Sequence, residues 1–374
     1  MLIKLEKRPT PSRRMLYITP VLAVIVTMAL GAIIFSLIGF DGLRAVREIF
    51  LTPLLNPLKW QDLAVKASPL IIIAVGLSIG YRGNVWNIGA EGQYVLGGLA
   101  ATGVALWTHQ MSGPWILPLM GLAGILGGMA WAVIPAFLRT RYKVNEILTT
   151  LMLTYVSVYL LNFLVFGPWK SPTSFGQPQT VRFSADQSLP DIIPGTIVHG
   201  GTLVAVVVAV LAWFVMSRTI FGYQVKTVGT APAAARYGGF SGNRTIWLVL
   251  MTSAGLAGLA GMLEVSGPYG RMVPQFPVNY GFTAIIVAFL GRLHPIGIVF
   301  AGLVLSIVVV GGEVAQTTIG LPFPAVGIFQ SMMLFFLLAS DVLVRYRVRR
   351  VNTSPPAAPA PARTEAAPDA GAAS

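Results

Sequence analysis

The chain has 374 residues, of which 55% are hydrophobic and only 10% are charged. Soluble proteins carry about a quarter charged residues, so this composition excludes an ordinary soluble protein and indicates one that crosses a membrane several times. The net charge of +13 arises from short basic segments between apolar runs, which is a topology signal and not the mark of nucleic-acid binding. Cysteine is absent and the three histidines lie far apart, so we expect neither disulfides nor a metal centre.

Apolar runs recur along the whole chain. The first, residues 16–40, is long enough to cross a hydrocarbon core of about 30 Å and too long for a signal peptide. Nine further spans are predicted at residues 65–80, 88–107, 114–138, 145–166, 199–217, 244–264, 281–291, 295–314 and 323–343. The sequence therefore predicts an all-α polytopic membrane protein with about ten transmembrane helices.

Basic residues set the orientation of these spans, because Lys and Arg stay on the cytoplasmic side. Placing both termini in the cytoplasm puts most of the basic residues on that side, and it requires an even number of spans. Eight or ten spans fit, and nine do not. The weakest span is residues 281–291, which is too short to cross unless it is tilted, extended or half-inserted.

Three regions follow from this pattern. Residues 1–15 form a basic cytoplasmic N-terminus, residues 16–345 form the transmembrane domain, and residues 346–374 form a basic and then Pro/Ala-rich tail. The tail lacks the large apolar residues needed for a core, so we expect it to be disordered and cytoplasmic. Residues 167–198 are the longest external loop, either a small cap or a tether, and residues 218–243 form a cytoplasmic loop.

Glycines recur at helical spacing in two of the spans. Gly121 and Gly124 share one helix face, as do Gly255, Gly258 and Gly261. Small residues on one face let two helices approach closely in a membrane. We predict that both sets pack helices together.

Polar and glycine-rich stretches interrupt the apolar pattern once in each half of the chain. The first, residues 80–93, contains Asn84, Trp86, Asn87, Glu91 and Gln93. The second, residues 267–281, contains Asn279 and Tyr280. Such breaks at membrane depth line a cavity or are buried in protein, and a matched pair of them points to the substrate site of a transporter. The alternative is that each break is a surface turn between ordinary spans.

Acidic residues within the spans are candidates for function, because a charge at mid-membrane costs about 2.5–3.5 kcal/mol. Glu91 is the strongest candidate, since it lies inside the first break. Glu264 and Glu313 lie at predicted outer helix ends, where we expect solvated side chains. Glu146 follows a basic cluster, and a local ion pair explains it at least as well as a function does.

The cytoplasmic loop contains a short helix signal. Pro232 suits a first helical turn, three alanines favour a helix, and Gly238 with Gly239 would end it. We predict one short helix at the membrane surface, whose small residues suit insertion into a partner's groove. The alternative is a simple connector.

Three segments resemble motifs of a known family, the permease subunits of ATP-binding-cassette (ABC) importers for simple sugars, nucleosides and branched-chain amino acids. They are residues 82–93, residues 145–153, and residues 229–239 followed by 253–261. The likeness covers about residues 60–340 and is closest to the nucleoside and simple-sugar branch. Two positions depart from the family, since Ala231 and Thr154 stand where Asn is common. The first departure removes a helix-capping side chain from the loop.

The resemblance implies a multi-pass permease in a bacterial plasma (inner) membrane, with the transmembrane domain as a translocation path for a nucleoside or simple sugar. The implied partners are ABC ATPase subunits, a second permease forming a heterodimer, and an extracytoplasmic substrate-binding protein. No cofactor, metal, enzymatic activity or nucleic acid is implied. The path residues would be Asn84, Trp86, Asn87, Glu91, Gln93, Asn279 and Tyr280. The residues coupling the loop to the ATPase would be Lys226, Gly229, Pro232, Ala233, Ala234, Ala235, Arg236, Tyr237 and Gly238.

A competing hypothesis is a stand-alone secondary transporter driven by protons or Na⁺, with Glu91 as the ion site. Broken helices and an intramembrane Glu are also typical of such transporters. The chain has no Gly-x-x-x-x-Gly-Lys-Ser/Thr segment, so it cannot hold ATP phosphates by that loop. An intramembrane enzyme is disfavoured, since the spans lack paired carboxylates, a Ser/His arrangement or clustered metal ligands.

Overall fold

A computed structural model describes residues 2–7, 13–174 and 176–351. A helix lies in every predicted span: α1 (Arg13–Leu37), α4 (Lys59–Arg82), α5 (Ala90–Trp107), α6 (Ile116–Tyr142), α7 (Glu146–Phe166), α8 (Gly200–Arg218), α11 (Gly242–Glu264), α12 (Tyr280–Leu290), α13 (Pro295–Ile319) and α14 (Phe323–Arg345). Shorter helices connect them: α2 (Gly42–Phe50), α3 (Thr52–Leu55), α9 (Ile220–Thr230) and α10 (Pro232–Tyr237). The prediction of an all-α polytopic membrane protein is confirmed.

The number of membrane crossings stays a prediction. Within the described residues, 7 helices are long and apolar enough to cross a membrane, while α12 and the described side chains of α14 form shorter apolar segments. At the ends of the bundle, β1 (Leu2–Lys7) pairs antiparallel with β2 (Tyr346–Val351), a pair that the sequence analysis did not predict. The tail predicted to be disordered is residues 346–374; its first six residues form β2, and residues 352–374 lie outside the described ones.

The interior of the bundle is built around α4, α5 and α11. In α4, 89% of the most apolar stretch is buried, against 28% in α6 and 22% in α7. A helix that is apolar all round is stable when protein covers it or when lipid covers the remaining faces. We therefore assign α4 to the centre and place the outer faces of α6 and α7 against lipid.

Glycines allow α5, α6 and α11 to cross at close range. A Cβ atom on Gly258 would lie 2.1 Å from the carbonyl oxygen of Gly124, and one on Gly261 would lie 2.0 Å from a carbonyl of α5. The packing prediction is confirmed for Gly124, Gly258 and Gly261. It is wrong for Gly121, where nothing lies within 4 Å of an added Cβ, and Gly255 meets only side chains of α6 at 3.2 Å or more.

Both predicted breaks interrupt helices. The first separates the end of α4 at Arg82 from the start of α5 at Ala90. The second begins with a π-helical turn, Val265–Tyr269, and continues as non-helical chain to Asn279. Helix α12 then has only 11 residues, or about 16 Å at 1.5 Å per residue, which is half the hydrocarbon core. By length, α12 alone is too short to cross the membrane.

The long loop between α7 and α8, predicted to be external, packs over the second break. The amide of Thr180 donates to the carbonyl of Met272 at 3.0 Å, Phe183 donates to Gly270 at 2.8 Å, and Leu189 donates to Ser266 at 2.9 Å. Of the two alternatives for this loop, these hydrogen bonds support the small cap.

Two helices occupy the loop between α8 and α11, which was predicted to be cytoplasmic. Helix α10 begins at Pro232 and ends at Tyr237, before the two glycines, where the sequence predicted a helix. Helix α9 was not predicted, because Ile220–Thr230 contains two glycines and several β-branched residues, all of which lower helix propensity.

Candidate functional site

The three motif segments meet at the first break. The side-chain amide of Asn87 donates to the Ser253 hydroxyl of α11 at 3.1 Å. Two residues of α7 accept backbone amides of the break: Glu146 from Trp86, and the Thr150 hydroxyl from Ile88, each at 3.2 Å. Non-helical backbone inside a membrane protein needs such partners, because no water is available to replace them. The motifs from residues 82–93, 145–153 and 253–261 therefore form one polar junction.

Asn87 and Gln93 bind each other inside this junction. Asn87 donates to the Gln93 carbonyl at 2.7 Å, and Gln93 donates back to the Asn87 carbonyl at 3.2 Å. Each residue is 1% exposed. Because the two amides largely satisfy one another, neither side chain faces an open path in this conformation.

Glu91 joins the first break to the second. Its two carboxylate oxygens accept the backbone amides of Asn279 at 2.9 Å and Gly281 at 2.5 Å, at the start of α12. The residue is 1% exposed. A carboxylate stabilises the N-terminus of a helix, where amides are unpaired and the dipole is positive. Glu91 thus acts as a cap supplied from α5 to α12.

Trp86 and Asn84 lie at the edge of the junction. Asn84 is exposed, has φ of 55°, and accepts the indole N–H of Trp86 at 3.2 Å. The Trp86 ring lies against the rings of Tyr81 and Phe289, with centroids 4.9 and 6.0 Å apart. The Trp86 ring therefore packs on protein rings in this conformation.

Asn279 and Tyr280 line a cavity of about 640 Å³ between α12, α13 and α14. The other predicted path residues do not line it, so the structure places the predicted set around the two breaks and not in one pocket. The cavity also contains Lys66 of α4 and Glu313 of α13, neither of which was predicted for the path. A lone lysine within an apolar span was the signal that could have identified Lys66.

One of the remaining acidic residues lies in a different environment from the predicted one. Glu264 is 2% exposed and its Oε1 has no hydrogen-bond partner among the described residues, so the expectation of a solvated side chain is wrong. The π-helical turn Val265–Tyr269 follows directly after Glu264. The Glu313 side chain is 54% exposed and pairs with Lys66 at 3.3 Å. Glu146 forms the expected local ion pair, with Arg139.

Thr150→Val tests the support that α7 gives to the first break. The change keeps the side-chain volume but removes the acceptor of the Ile88 amide, which costs about 1 kcal/mol or more. We expect faster hydrogen exchange in residues 83–89, measured by mass spectrometry. Thr149→Val is the matched control, because the Thr149 hydroxyl is exposed and bonds only to its own helix; equal exchange in both variants would contradict this role of Thr150.

The loop between α8 and α11 contacts the end of α4 directly. A Cβ atom on Gly229 of α9 would lie 2.1 Å from the carbonyl oxygen of Arg82, and one on Gly83 would lie 3.3 Å from the side chain of Val225. Helix α10 follows α9 and exposes all of its residues except Ala235. Tyr237 is 94% exposed. The loop therefore connects a protruding helix to the first break through a glycine contact.

Positive charge gathers where this loop meets the bundle. His294, between α12 and α13, lies near Arg82 and Lys226, and partial burial together with these two charges lowers the pKa of His294. The shift favours the neutral imidazole. Among the described residues, no group of three or more His, Asp or Glu could hold a metal ion.

The two departures from the family motifs have local consequences. Ala231 occupies the N-cap position of α10, with no side-chain hydrogen bond to the helix. Thr154 is buried and donates to the Thr150 carbonyl at 3.2 Å, so it bonds within its own helix.

Comparison with known proteins agrees with this geometry. A family described as "Branched-chain amino acid transport system / permease component" matches residues 60–338. The glucose ABC transporter permease protein TsgB13 of Haloferax volcanii is 36% identical, over 94% of this chain and 96% of its own. The nucleoside ABC transporter permease protein NupB of Lactococcus lactis is 26% identical over 87% and 92%. The guanosine ABC transporter permease protein NupP of Bacillus subtilis is 26% identical over 88% and 94%.

Both the family match and the first relative cover most of the chain. They support the ABC-permease interpretation and not the ion-coupled alternative. Permeases of this kind are the multi-pass components of plasma-membrane transport systems that also include an ATPase and a substrate-binding protein. This chain belongs to the family of permease components of branched-chain amino acid type ABC transport systems.

Proposed function

We propose that this chain forms, with a second and different permease, the translocation path of an ABC importer for a nucleoside or simple sugar. An extracytoplasmic binding protein delivers the solute, and partner ATPase subunits hydrolyse the ATP. The substrate class is supported by the relatives that transport glucose, nucleosides and guanosine by name. The heterodimer is supported by the resemblance to the nucleoside and simple-sugar branch.

The observation that carries the proposal is the exposed helix α10 and its connection to the first break. Small residues at Ala233 and Ala234 permit close backbone approach by a partner, and Tyr237 offers a large exposed ring. Movement of α10 would reach α4 through the contact between Gly229 and Arg82. We assign the coupling residues to this surface: Lys226, Gly229, Pro232, Ala233, Ala234, Ala235, Arg236, Tyr237 and Gly238.

The predicted path residues serve in this proposal as the elements that rearrange when the helices rock. Asn87 and Gln93 hold each other in the described conformation, and separating the first break from α11 would release the Asn87 amide from Ser253 for a neutral solute. Glu91 maintains the start of α12 while this happens. Asn84 and Trp86 lie at the cytoplasmic edge, whereas Asn279 and Tyr280 line the cavity.

Photocrosslinking from the coupling surface tests the proposed partners. A photoreactive phenylalanine analogue at Tyr237 in the tagged chain, expressed in its native membrane, is expected to crosslink to an ATPase that mass spectrometry identifies. The same analogue at exposed Tyr159 of α7 is the control and is expected to give no ATPase adduct. Purification in mild detergent is expected to recover a second permease with the chain. Recovery of the chain alone, without an ATPase adduct, would contradict the proposal.

Gly229→Val tests the transmission of movement from the loop to the bundle. The added side chain cannot fit beside the Arg82 carbonyl, so α9 must shift away from α4. We expect ATP-driven uptake to fall about tenfold or more while the ATPase remains bound, measured with the reconstituted complex. Gly242→Ala is the control, because nothing lies within 4 Å of an added Cβ there. Normal uptake by the Gly229 variant would show that this contact transmits no movement.

A further inference from the structure

The cavity beside the second break has the size and position of a small-molecule site. Its volume of about 640 Å³ lies within the range of about 300–1,000 Å³ that is usual for such sites. Glu313 and Gln316 come from the end of α13, and residues 324–332 come from the start of α14. With the N-terminus in the cytoplasm, these parts of the two helices face the outer half of the membrane, where a binding protein would release its cargo.

The polar groups of the cavity are neutral overall. Lys66 Nζ lies 3.3 Å from Glu313 Oε1 and 6.0 Å from the centroid of the Tyr280 ring. The two charges therefore compensate each other. The other polar side chains are amides and hydroxyls: Asn279, Thr283, Gln316, Gln330 and Ser331.

These neutral groups both donate and accept hydrogen bonds, as sugar hydroxyls do. The Thr283 hydroxyl donates to Gln330 Oε1 at 3.2 Å, which fixes the orientation of that amide and leaves its NH₂ group as a donor. Apolar side chains complete the lining: Val278, Val309, Pro324, Val326, Ile328 and Met332. The combination of an apolar wall with convergent neutral polar groups suits a ring that has one hydroxylated edge and one apolar face.

We propose that this cavity is a binding site for a neutral polyhydroxylated ring, either a monosaccharide or the ribose of a nucleoside. The substrate class rests on the proposed function, whereas the location and the residues rest on the cavity itself. Gln316 and Gln330 bind the hydroxyl groups of the solute. The Lys66–Glu313 ion pair contacts the solute without presenting a net charge to it. A zwitterionic amino acid would instead need a free cation for its carboxylate and a free anion for its ammonium group, and the pairing of Lys66 with Glu313 leaves neither.

Equilibrium binding to the complete importer in nanodiscs, without its binding protein, tests this site. The probes are radiolabelled D-glucose, D-ribose and guanosine, with L-leucine as the zwitterionic comparison. We expect saturable binding of a sugar or of guanosine, weakened about tenfold by Gln316→Met or Gln330→Met, because methionine keeps the approximate volume but cannot replace the amide hydrogen bonds. Thr317→Val is the matched control on α13, because Thr317 is exposed and bonds only to its own helix. It is expected to bind like the unaltered chain.

The outcomes separate this site from the proposed function. Unaltered binding in both methionine variants, binding of leucine alone, or no binding of any sugar or nucleoside would overturn the site. ATP-driven uptake of a sugar or nucleoside in the same preparation would leave the proposed function standing in each case. A complex that contains no ATPase would overturn the proposed function and leave the binding result to decide the site on its own.

Discussion

Glu91→Ala is expected to lower the thermal stability of the protein sharply and to abolish transport. The carboxylate is buried and accepts the amides of Asn279 and Gly281. Each buried amide left without an acceptor costs about 1–3 kcal/mol, so the loss should reach about 3 kcal/mol or more. Alanine also removes the negative charge from the N-terminus of α12. Loss of the monodisperse peak after heating, followed by size-exclusion chromatography in detergent, measures this effect.

A second variant separates the capping role of Glu91 from an ion-binding role. Glu91→Gln keeps one acceptor oxygen but turns an NH₂ group toward the other amide, so we expect an intermediate stability. Glu313→Gln is the control for thermal stability, because that carboxylate is 54% exposed and forms a partly exposed ion pair with Lys66. If Glu91 were instead an ion site, the Gln variant would keep full thermal stability and lose a dependence of uptake on protons or Na⁺.

Gly258→Ala is expected to disrupt the crossing of α5, α6 and α11. The added methyl group would lie 2.1 Å from the Gly124 carbonyl oxygen and 3.0 Å from the Gly128 Cα. Backbone atoms cannot rotate away as a side chain can, so the helices must separate, which costs about 1–3 kcal/mol or more. We expect reduced yield of folded protein and a lower midpoint of thermal unfolding.

Gly121→Ala provides the matched control on α6, one turn before Gly124. Nothing lies within 4 Å of a Cβ atom at this position, and alanine is the better helix former by about 1 kcal/mol. The variant should therefore be as stable as the unaltered chain or slightly more stable. Equal stability of the Gly258 and Gly121 variants would refute the close crossing of these helices.

The contacts connect the coupling surface to the second break in one continuous series. Helix α10 leads into α9, and Gly229 of α9 touches Arg82 at the start of the first break. The first break is held by α7 and α11 through Thr150 and Ser253. At its far end, Glu91 holds the start of α12. We infer that displacing α10 shifts the helices joined by these contacts relative to one another. Transporters use rigid-body movements of this kind.

The breaks were predictable because they depend on local sequence. Glycines and polar side chains predicted a break within residues 80–93, and the structure limits the break to residues 83–89, because Glu91 and Gln93 already lie in α5. Membrane backbone without helical hydrogen bonds must be buried or line a cavity. Helix α10 was predictable for the same reason, since Pro232 and Gly238 mark its ends. Signals of this kind lie within a few residues of the structure that they specify.

The partners of these breaks could not be predicted in the same way. Glu91 and the amide of Asn279 are 188 positions apart, and no periodicity in the sequence encodes such a pairing. Glu264 was expected to be solvated because it ends a helix, yet it is buried where the π-helical turn begins. The predicted path residues lie around two breaks, and their gathering into one site depends on how α5, α11 and α12 pack.

ATP-driven uptake by the purified complex tests the central claim most directly. The chain, with the partners that purify with it and the binding protein, is reconstituted in proteoliposomes with labelled glucose or guanosine as the probe. We predict uptake that requires ATP on the side of α10, that persists when ionophores collapse every ion gradient, and that falls in the Gly229→Val complex. Uptake by the chain alone, driven by a proton or Na⁺ gradient and unaffected by ATP, would contradict the account.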